Sequence, residues 1–192
     1  MKRRLPKSAK REHAVRIIAG RFRGRRLPVL EVEGLRPTPD RVRETLFNWL
    51  ASDIVGSDVL DLFAGTGVLG LEATSRGANH VIATERDKQA VTHLSDLCGY
   101  LGVDDNYSVY QADAIAWLRS CRTKFDIVFV DPPYHMGLYQ TVFGALEGRL
   151  KDGAKVYVES DARSPEPATP GNWQELRGKV AGDVRYHLFT VL

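Results

Sequence analysis

The sequence predicts an α/β protein: a doubly wound, mostly parallel sheet of seven strands that ends in an antiparallel hairpin, preceded by a separate β-hairpin extension. Three observations predict it. From Ser57 onward, β-patterned and helix-patterned segments alternate at the length of βα units. Phe125–Val130 is an almost wholly apolar run, as expected of a strand covered on both faces. Trp173–Ala181 and Val184–Val191 are β-like runs joined only by Gly182-Asp183, the signature of a tight hairpin.

Composition sets the outer bounds. A chain of 192 residues, 43% hydrophobic and 27% charged, fits one well-cored domain with a small appendage. No apolar run approaches the roughly 18 residues of a membrane span, and the basic start lacks the apolar core of a secretory signal. Cys98 and Cys121 are too few and too far apart for a disulfide framework, and the five histidines share no metal-ligand spacing. A cytoplasmic protein with no metal is the expectation.

The net charge of +3 hides a division along the chain. Residues 1–26 hold 11 Lys or Arg against the single acid Glu12, a balance of +10; the other 16 bases face 23 acids, a balance of −7. A basic arm on a mildly acidic body fits a polyanionic partner met by one end of the molecule, and equally a solvated tail.

Taken in order, residues 1–13 read as a disordered basic leader with almost no apolar content. The β-like runs 14–19 and 25–30 flank the glycine-bounded turn 20–24, predicting a hairpin that displays Arg21, Arg23, Arg25 and Arg26 around Phe22. Thr38 and Pro39 make an N-cap and first-turn pair for a helix to about Ala51, with Val42, Leu46, Leu50 and Trp49 as its buried stripe. Strands follow at 59–63, His80–Glu85, 107–110, Phe125–Val130 and 155–159, and helices at 67–76, 87–101, 114–119 and 138–150. The expected division is a leader over 1–13, a hairpin extension over 14–34 and a main domain over 35–192.

Chemistry concentrates at the predicted carboxyl ends of the strands, where such sheets bind ligands. Asp61-Leu-Phe-Ala-Gly-Thr-Gly67 sits where the first strand of the sheet meets its helix, and Gly65, Gly67 and Gly70 satisfy a G-x-G-x-x-G spacing. By itself that spacing is shared by several nucleotide binders. Glu85 ends the next strand, placed to accept hydrogen bonds from both hydroxyls of a ribose, and Asp113 follows the third strand, where a carboxylate can meet an adenine amino group. Asp61 could hold an ammonium group. Three carboxylates suit S-adenosylmethionine, with its cationic amino-acid end, better than a pyrophosphate. No hydride-transfer constellation accompanies them.

The sharpest motif is Asp131-Pro132-Pro133-Tyr134, directly after the apolar strand. The prolines stiffen the chain and cannot donate, so the Asp carboxylate and a neighbouring carbonyl remain as two acceptors for an exocyclic NH₂ group. Tyr134 offers a face for a base to stack on. An amine held this way would direct its lone pair at a methyl group, and catalysis would rest mainly on in-line positioning.

These motifs resemble those of amino-group methyltransferases. The fuller pattern, Arg16-Ile-Ile-Ala-Gly-Arg-Phe-Arg-Gly-Arg-Arg-Leu-Pro28 with Leu35-Arg-Pro-Thr-Pro-Asp-Arg-Val-Arg-Glu-Thr-Leu-Phe-Asn48 and Asp131–Tyr134, is similar to the bacterial 16S ribosomal RNA guanine-N2 methyltransferases that act on guanine 966. The similarity runs from about Val15 to the end, including Val180-Ala-Gly-Asp183. It implies a Rossmann-like fold, S-adenosylmethionine contacts at Asp61, Ala64, Gly65, Thr66, Gly67, Glu85 and Asp113, and target-base contacts at Asp131, Pro132, Pro133 and Tyr134. By the same likeness Thr38 lies near the cofactor, and Arg21, Arg23, Arg25, Arg26, Arg36 and Arg41 serve RNA. Arg41 and Arg43 read equally well as helix-surface charges. The implied partner is 16S rRNA in an assembling small subunit, met by a monomer with no membrane attachment. Rival readings are a DNA adenine-N6 or cytosine-N4 methyltransferase, an NAD-dependent oxidoreductase, and a non-catalytic RNA-binding protein.

Overall fold

The structure, a computed structural model, describes residues 14–30, 38–133 and 137–192. The leader 1–13, the linker positions 31–37 with Arg36, and Tyr134 lie outside the described residues.

The described residues open with a two-stranded antiparallel hairpin, β1 (Ala14–Arg16) and β2 (Arg26–Pro28), followed by α1 (Asp40–Trp49). The main sheet comprises β3 (Asp58–Asp61), β4 (His80–Glu85), β5 (Tyr107–Gln111), β6 (Phe125–Val130), β7 (Leu150–Asp161), β8 (Trp173–Ala181) and β9 (Val184–Val191). Their order is β5-β4-β3-β6-β7-β9-β8. The first five run parallel, and β9 inserts antiparallel between β7 and β8. Crossovers run through α2 (Val68–Ser75), α3 (Lys88–Leu101), α4 (Ala114–Ser120) and α5 (Tyr139–Leu146).

Because side chains alternate along a strand, each strand feeds two cores. Val59, Val81, Ile127, Phe129 and Tyr157 point to the face covered by α1, α2, α3 and the N-terminal hairpin. Leu60, Val128, Val130 and Val156 point to the face covered by α4 and α5. The hairpin shares the first core through Ile17, Phe22 and Leu27. Phe125–Val130, expected to be covered on both faces, has only Asp126 short of full burial.

Three local expectations are corrected. The Thr38 side chain does not cap α1: Pro39 takes the N-cap position with an extended ψ of 146°, and its carbonyl accepts the amides of Val42 and Arg43. The hairpin strands are three residues each, because the intervening chain closes as a 3₁₀ turn over Gly20–Phe22. The helix expected over 138–150 stops at Leu146, since Gly148 is left-handed (φ 73°) and Leu150 already pairs with Phe125 on β6. Strand β7 is correspondingly longer than expected.

The hairpin is fastened to α2 by polar contacts. Glu72 is fully buried and accepts the backbone amides of Ile18 at 2.8 Å and Ala19 at 3.0 Å. Ser75 Oγ donates to the Ala19 carbonyl at 2.6 Å and accepts the Phe22 amide at 3.0 Å. Gly20, at φ 79°, passes so close that an added Cβ would lie 1.9 Å from the Ser75 carbonyl oxygen, so only glycine fits there. Arg43, also fully buried, donates to the carbonyls of Arg16 and Thr38 and pairs with Asp40 and Glu72.

Candidate active site

Strand register gathers the acids. Asp61 ends β3 opposite Ala83 on β4 and Phe129 on β6, and Phe129 in turn faces Tyr157 on β7. Two residues further along these strands stand Glu85, Asp131 and Glu159. The two-residue alternation sets all four carboxylates on the face that carries α1 and α2, at the carboxyl ends of the parallel strands.

The turn between β3 and α2 is closed by its own backbone, with the Gly67 amide donating to the Ala64 carbonyl at 2.7 Å and the Ala64 amide to the Thr84 carbonyl at 3.0 Å. Gly65 and Gly67 both have positive φ (52° and 73°), and a Cβ on Gly67 would sit 2.3 Å from Leu94 Cδ1. The glycines therefore answer to both conformation and packing. Glu85 is locked against this turn: one oxygen accepts the Gly65 amide at 2.9 Å, the other the amides of Arg86 and Asp87 at 2.6 and 2.7 Å. A carboxylate has about four lone-pair sites, so acceptor capacity remains for a ligand. Asp113 is exposed and caps α4 by accepting the Ala116 amide at 2.9 Å, which fixes its direction while leaving the second oxygen available.

Electrostatics mark two of these acids. Asp61 is buried, accepts the Gly70 amide at 3.0 Å, and is pushed up to about 7, first by burial and further by Glu85. Asp131 is pushed well above the usual carboxylate range by loss of solvation, with Glu159 and then Asp61 adding to it. Pro132 is buried and Pro133 exposed, so the motif leaves the sheet at its surface.

Such a cleft gains from a cation, since a positive group restores the ionised form that burial disfavours. A sulfonium and an ammonium supply that, whereas a pyrophosphate would add negative charge. The donor set therefore fits S-adenosylmethionine and fits a dinucleotide poorly.

The other sequence-selected residues are placed as follows. Arg21, Arg23, Arg25 and Arg26 are all exposed around buried Phe22; Arg21 and Arg25 lie over its ring at 4.4 and 5.0 Å, and Arg25 also over Tyr100 at 5.9 Å. Arg41 is exposed on α1, whereas Arg43 is interior and not a surface charge. Thr38 is buried and contributes its carbonyl to Arg43. Thr66 is half-buried in the glycine turn. Sequence reasoning weighed Arg43 as a helix-surface charge and did not single out Glu72, Tyr107 or Glu159. A lone acid in the otherwise apolar or small-residue helix 68–75 was a signal for Glu72, but nothing local named its partners.

Two features lie away from the cleft. On the opposite face of the sheet His187 sits between Glu166 and Glu175, at 3.4 and 3.3 Å, tying the proline-rich loop to β8 and β9. A shallow pocket lined by Asp53, Ser57, Asp126 and Lys155 opens at the amino ends of the strands, the end at which doubly wound sheets do not bind ligands.

The sequence pattern of the family described as Conserved hypothetical protein 95 matches residues 15–190. Ribosomal RNA small subunit methyltransferase D of Escherichia coli (strain K12) is 47% identical over 177 residues, 91% of this chain and 89% of that protein. This chain belongs to that methyltransferase family. The namesake protein of Haemophilus influenzae is 44% identical, covering 91% of this chain and 93% of its own. Among solved structures, yhhF from Escherichia coli superposes with a TM-score of 0.84 at 46% identity, over 93% of this chain and 98% of that one. The family match begins at Val15, so it takes in both the hairpin and the sheet. The similar structures share the α/β methyltransferase fold.

Proposed function

We propose that this protein transfers a methyl group from S-adenosylmethionine to the N2 amine of a guanine in 16S ribosomal RNA, at the position corresponding to guanine 966. The observation that carries the reading is the gathering of Asp61, Glu85 and Asp131 at the carboxyl ends of the parallel strands, with a hairpin bearing four exposed arginines fastened to the helix that leaves the glycine turn. The names of the close relatives support the ribosomal substrate.

Bound S-adenosylmethionine supplies an electrophilic methyl group on a positively charged sulfur. Asp61 would hold the ammonium end, Glu85 the ribose hydroxyls and Asp113 the adenine edge. Asp131 accepts a hydrogen bond from the guanine N2 amine and turns the nitrogen lone pair toward the methyl group. In the transfer the amine nitrogen would take the methyl group from the sulfur, whose bond to that carbon would break, and would give up one proton. Asp131, whose proton affinity is raised by loss of solvation, would receive it. Tyr134 stacks on the base, which must leave its helix to reach the pocket. Arg21, Arg23, Arg25, Arg26, Arg36 and Arg41 bind phosphates.

Recognition of the right guanine then comes from RNA shape and from proteins already on an assembling subunit, with a single copy of the chain acting in the cytoplasm. Among the described residues no helix is long and apolar enough to cross a membrane. Methylation of small-subunit particles, naked 16S RNA and duplex DNA with labelled cofactor, followed by mass-spectrometric mapping, tests the proposal. Label on N2 of one guanine in the ribosomal substrates is the expected result; transfer to DNA alone overturns it.

A further inference from the structure

Asp61 has a neighbour that the reading above does not use. Tyr107 begins β5, two strands away, and is 3% exposed. Its register partner on β4 is Val81, while Ala83, the next residue on that face, stands opposite Asp61. The Tyr107 ring crosses β4 beside this small alanine and ends against α2. A Cβ added to Gly70 would lie 2.3 Å from the Tyr107 hydroxyl oxygen and 3.1 Å from Asp61 Oδ2, so both oxygens border one space that a glycine keeps open.

That space is unbalanced as it stands. The Tyr107 hydroxyl is buried and finds no hydrogen-bond partner among the described residues, an arrangement that native interiors avoid unless something else satisfies the group. Asp61 meanwhile accepts the Gly70 amide, a single short-range donor for a buried carboxylate. Burial and the adjacent Asp61 keep the phenol protonated, so it can only serve a nearby acceptor as a donor. Cys98, the other ionisable group beside it, is pushed up to about 12 and remains a neutral thiol, a weak partner at best.

We propose that Tyr107 is a positioning residue for cofactor binding: its hydroxyl donates to the Asp61 carboxylate when that carboxylate holds the ammonium of the cofactor's amino-acid end. The inference rests on the assignment of S-adenosylmethionine to this cleft. It explains why the third glycine of the G-x-G-x-x-G spacing is needed here: any side chain at position 70 would displace the hydroxyl from Asp61.

The test compares wild type and Tyr107→Phe by calorimetric titration with S-adenosylhomocysteine and with 5′-methylthioadenosine, which lacks the amino-acid end, alongside thermal unfolding without ligand. The variant is expected to bind S-adenosylhomocysteine about tenfold more weakly, as for loss of a hydrogen bond to a charged group, and to bind methylthioadenosine as wild type does. Its unliganded midpoint is expected to equal or exceed that of wild type, because a buried hydroxyl without a partner has been removed. Unchanged affinity for S-adenosylhomocysteine, equal loss for both ligands, or a lowered midpoint accounting for the loss would each overturn the proposal. Failure of wild type to bind either ligand would instead refute the cofactor assignment itself.

Discussion

The Glu72 carboxylate accepts the backbone amide of Ile18 at 2.8 Å, across 54 residues of chain. Helix α2 starts at the glycine turn of the cleft and, one turn later, holds the arginine-bearing hairpin. The exposed arginines and the glycine turn are thus mounted on one short helix. The hairpin is packed against α2 and hydrogen-bonded to it.

Replacing Glu72 with Ala should therefore be severe. It leaves Arg43 buried with one of its two carboxylate partners gone and frees two backbone amides. Chemical denaturation is expected to show a loss of about 3 kcal/mol, the range for breaking a buried ion pair from one side. A loss below about 1 kcal/mol would mean that the hairpin is held by its apolar contacts alone.

Gly20→Ala probes the same junction without touching charge. The new methyl group would overlap the Ser75 carbonyl at a left-handed φ, so a loss of at least about 2 kcal/mol is expected. Gly24→Ala is the control: φ is also left-handed (80°) but no atom lies within 4 Å of the added carbon, and the cost should stay near 1 kcal/mol. Equal losses for the two variants would contradict the close approach at Gly20.

Asp61 sets a pH dependence of known sign. Its proton affinity rises from an ordinary 3.8 to about 7 on folding, so the folded state holds the proton more tightly. The associated stability is fully present below pH 3.8 and is lost as pH rises through about 7. Asp61→Asn should accordingly stabilise the unliganded protein at pH 8, by on the order of 2–4 kcal/mol, and weaken S-adenosylhomocysteine binding at least tenfold. In wild type that binding should weaken as pH falls from about 8 to about 6, because the ammonium needs the ionised carboxylate. Titrations of both proteins at several pH values check this, and a pH-independent wild-type affinity would refute it.

Asp131→Asn separates chemistry from cofactor binding. If Asp131 accepts the target amine as proposed, amide substitution removes that charged acceptor and a destination for the proton, and single-turnover transfer should fall at least about 100-fold. Affinity for S-adenosylhomocysteine should change less than about threefold. A variant that transfers at the wild-type rate would remove Asp131 from the reaction.

The four hairpin arginines differ in surroundings, and the difference is measurable. Arg23 has none of the ring contacts that Arg21 and Arg25 make, so Arg23→Ala should leave thermal unfolding unchanged and reduce the slope of log affinity against log salt by about one for ribosomal RNA. Arg25→Ala should lower both affinity and melting temperature, since it also strips a cation from Phe22 and Tyr100. An unchanged salt slope for both variants would place the RNA elsewhere.

What the sequence by itself determined is local in origin. Strand and helix periods emerge within windows of about ten residues, so the βα series and the terminal hairpin were legible, and β4, β8 and β9 have the expected bounds. The glycine turn and Asp131-Pro132-Pro133 were legible because each is a contiguous string whose chemistry needs no distant partner.

Where the readings failed, a contact remote in sequence decided. The stop of α5 at Leu146 depends on Leu150 reaching Phe125 on another strand. Arg43, an apparent surface charge, is interior because α1 packs against α2 and meets Glu72. Only strand register sets Glu159 beside Asp131 and lays Tyr107 across Ala83 toward Asp61. Burial, pairing and proton affinity are properties of a side chain's neighbours in space, and those neighbours are chosen by tertiary packing.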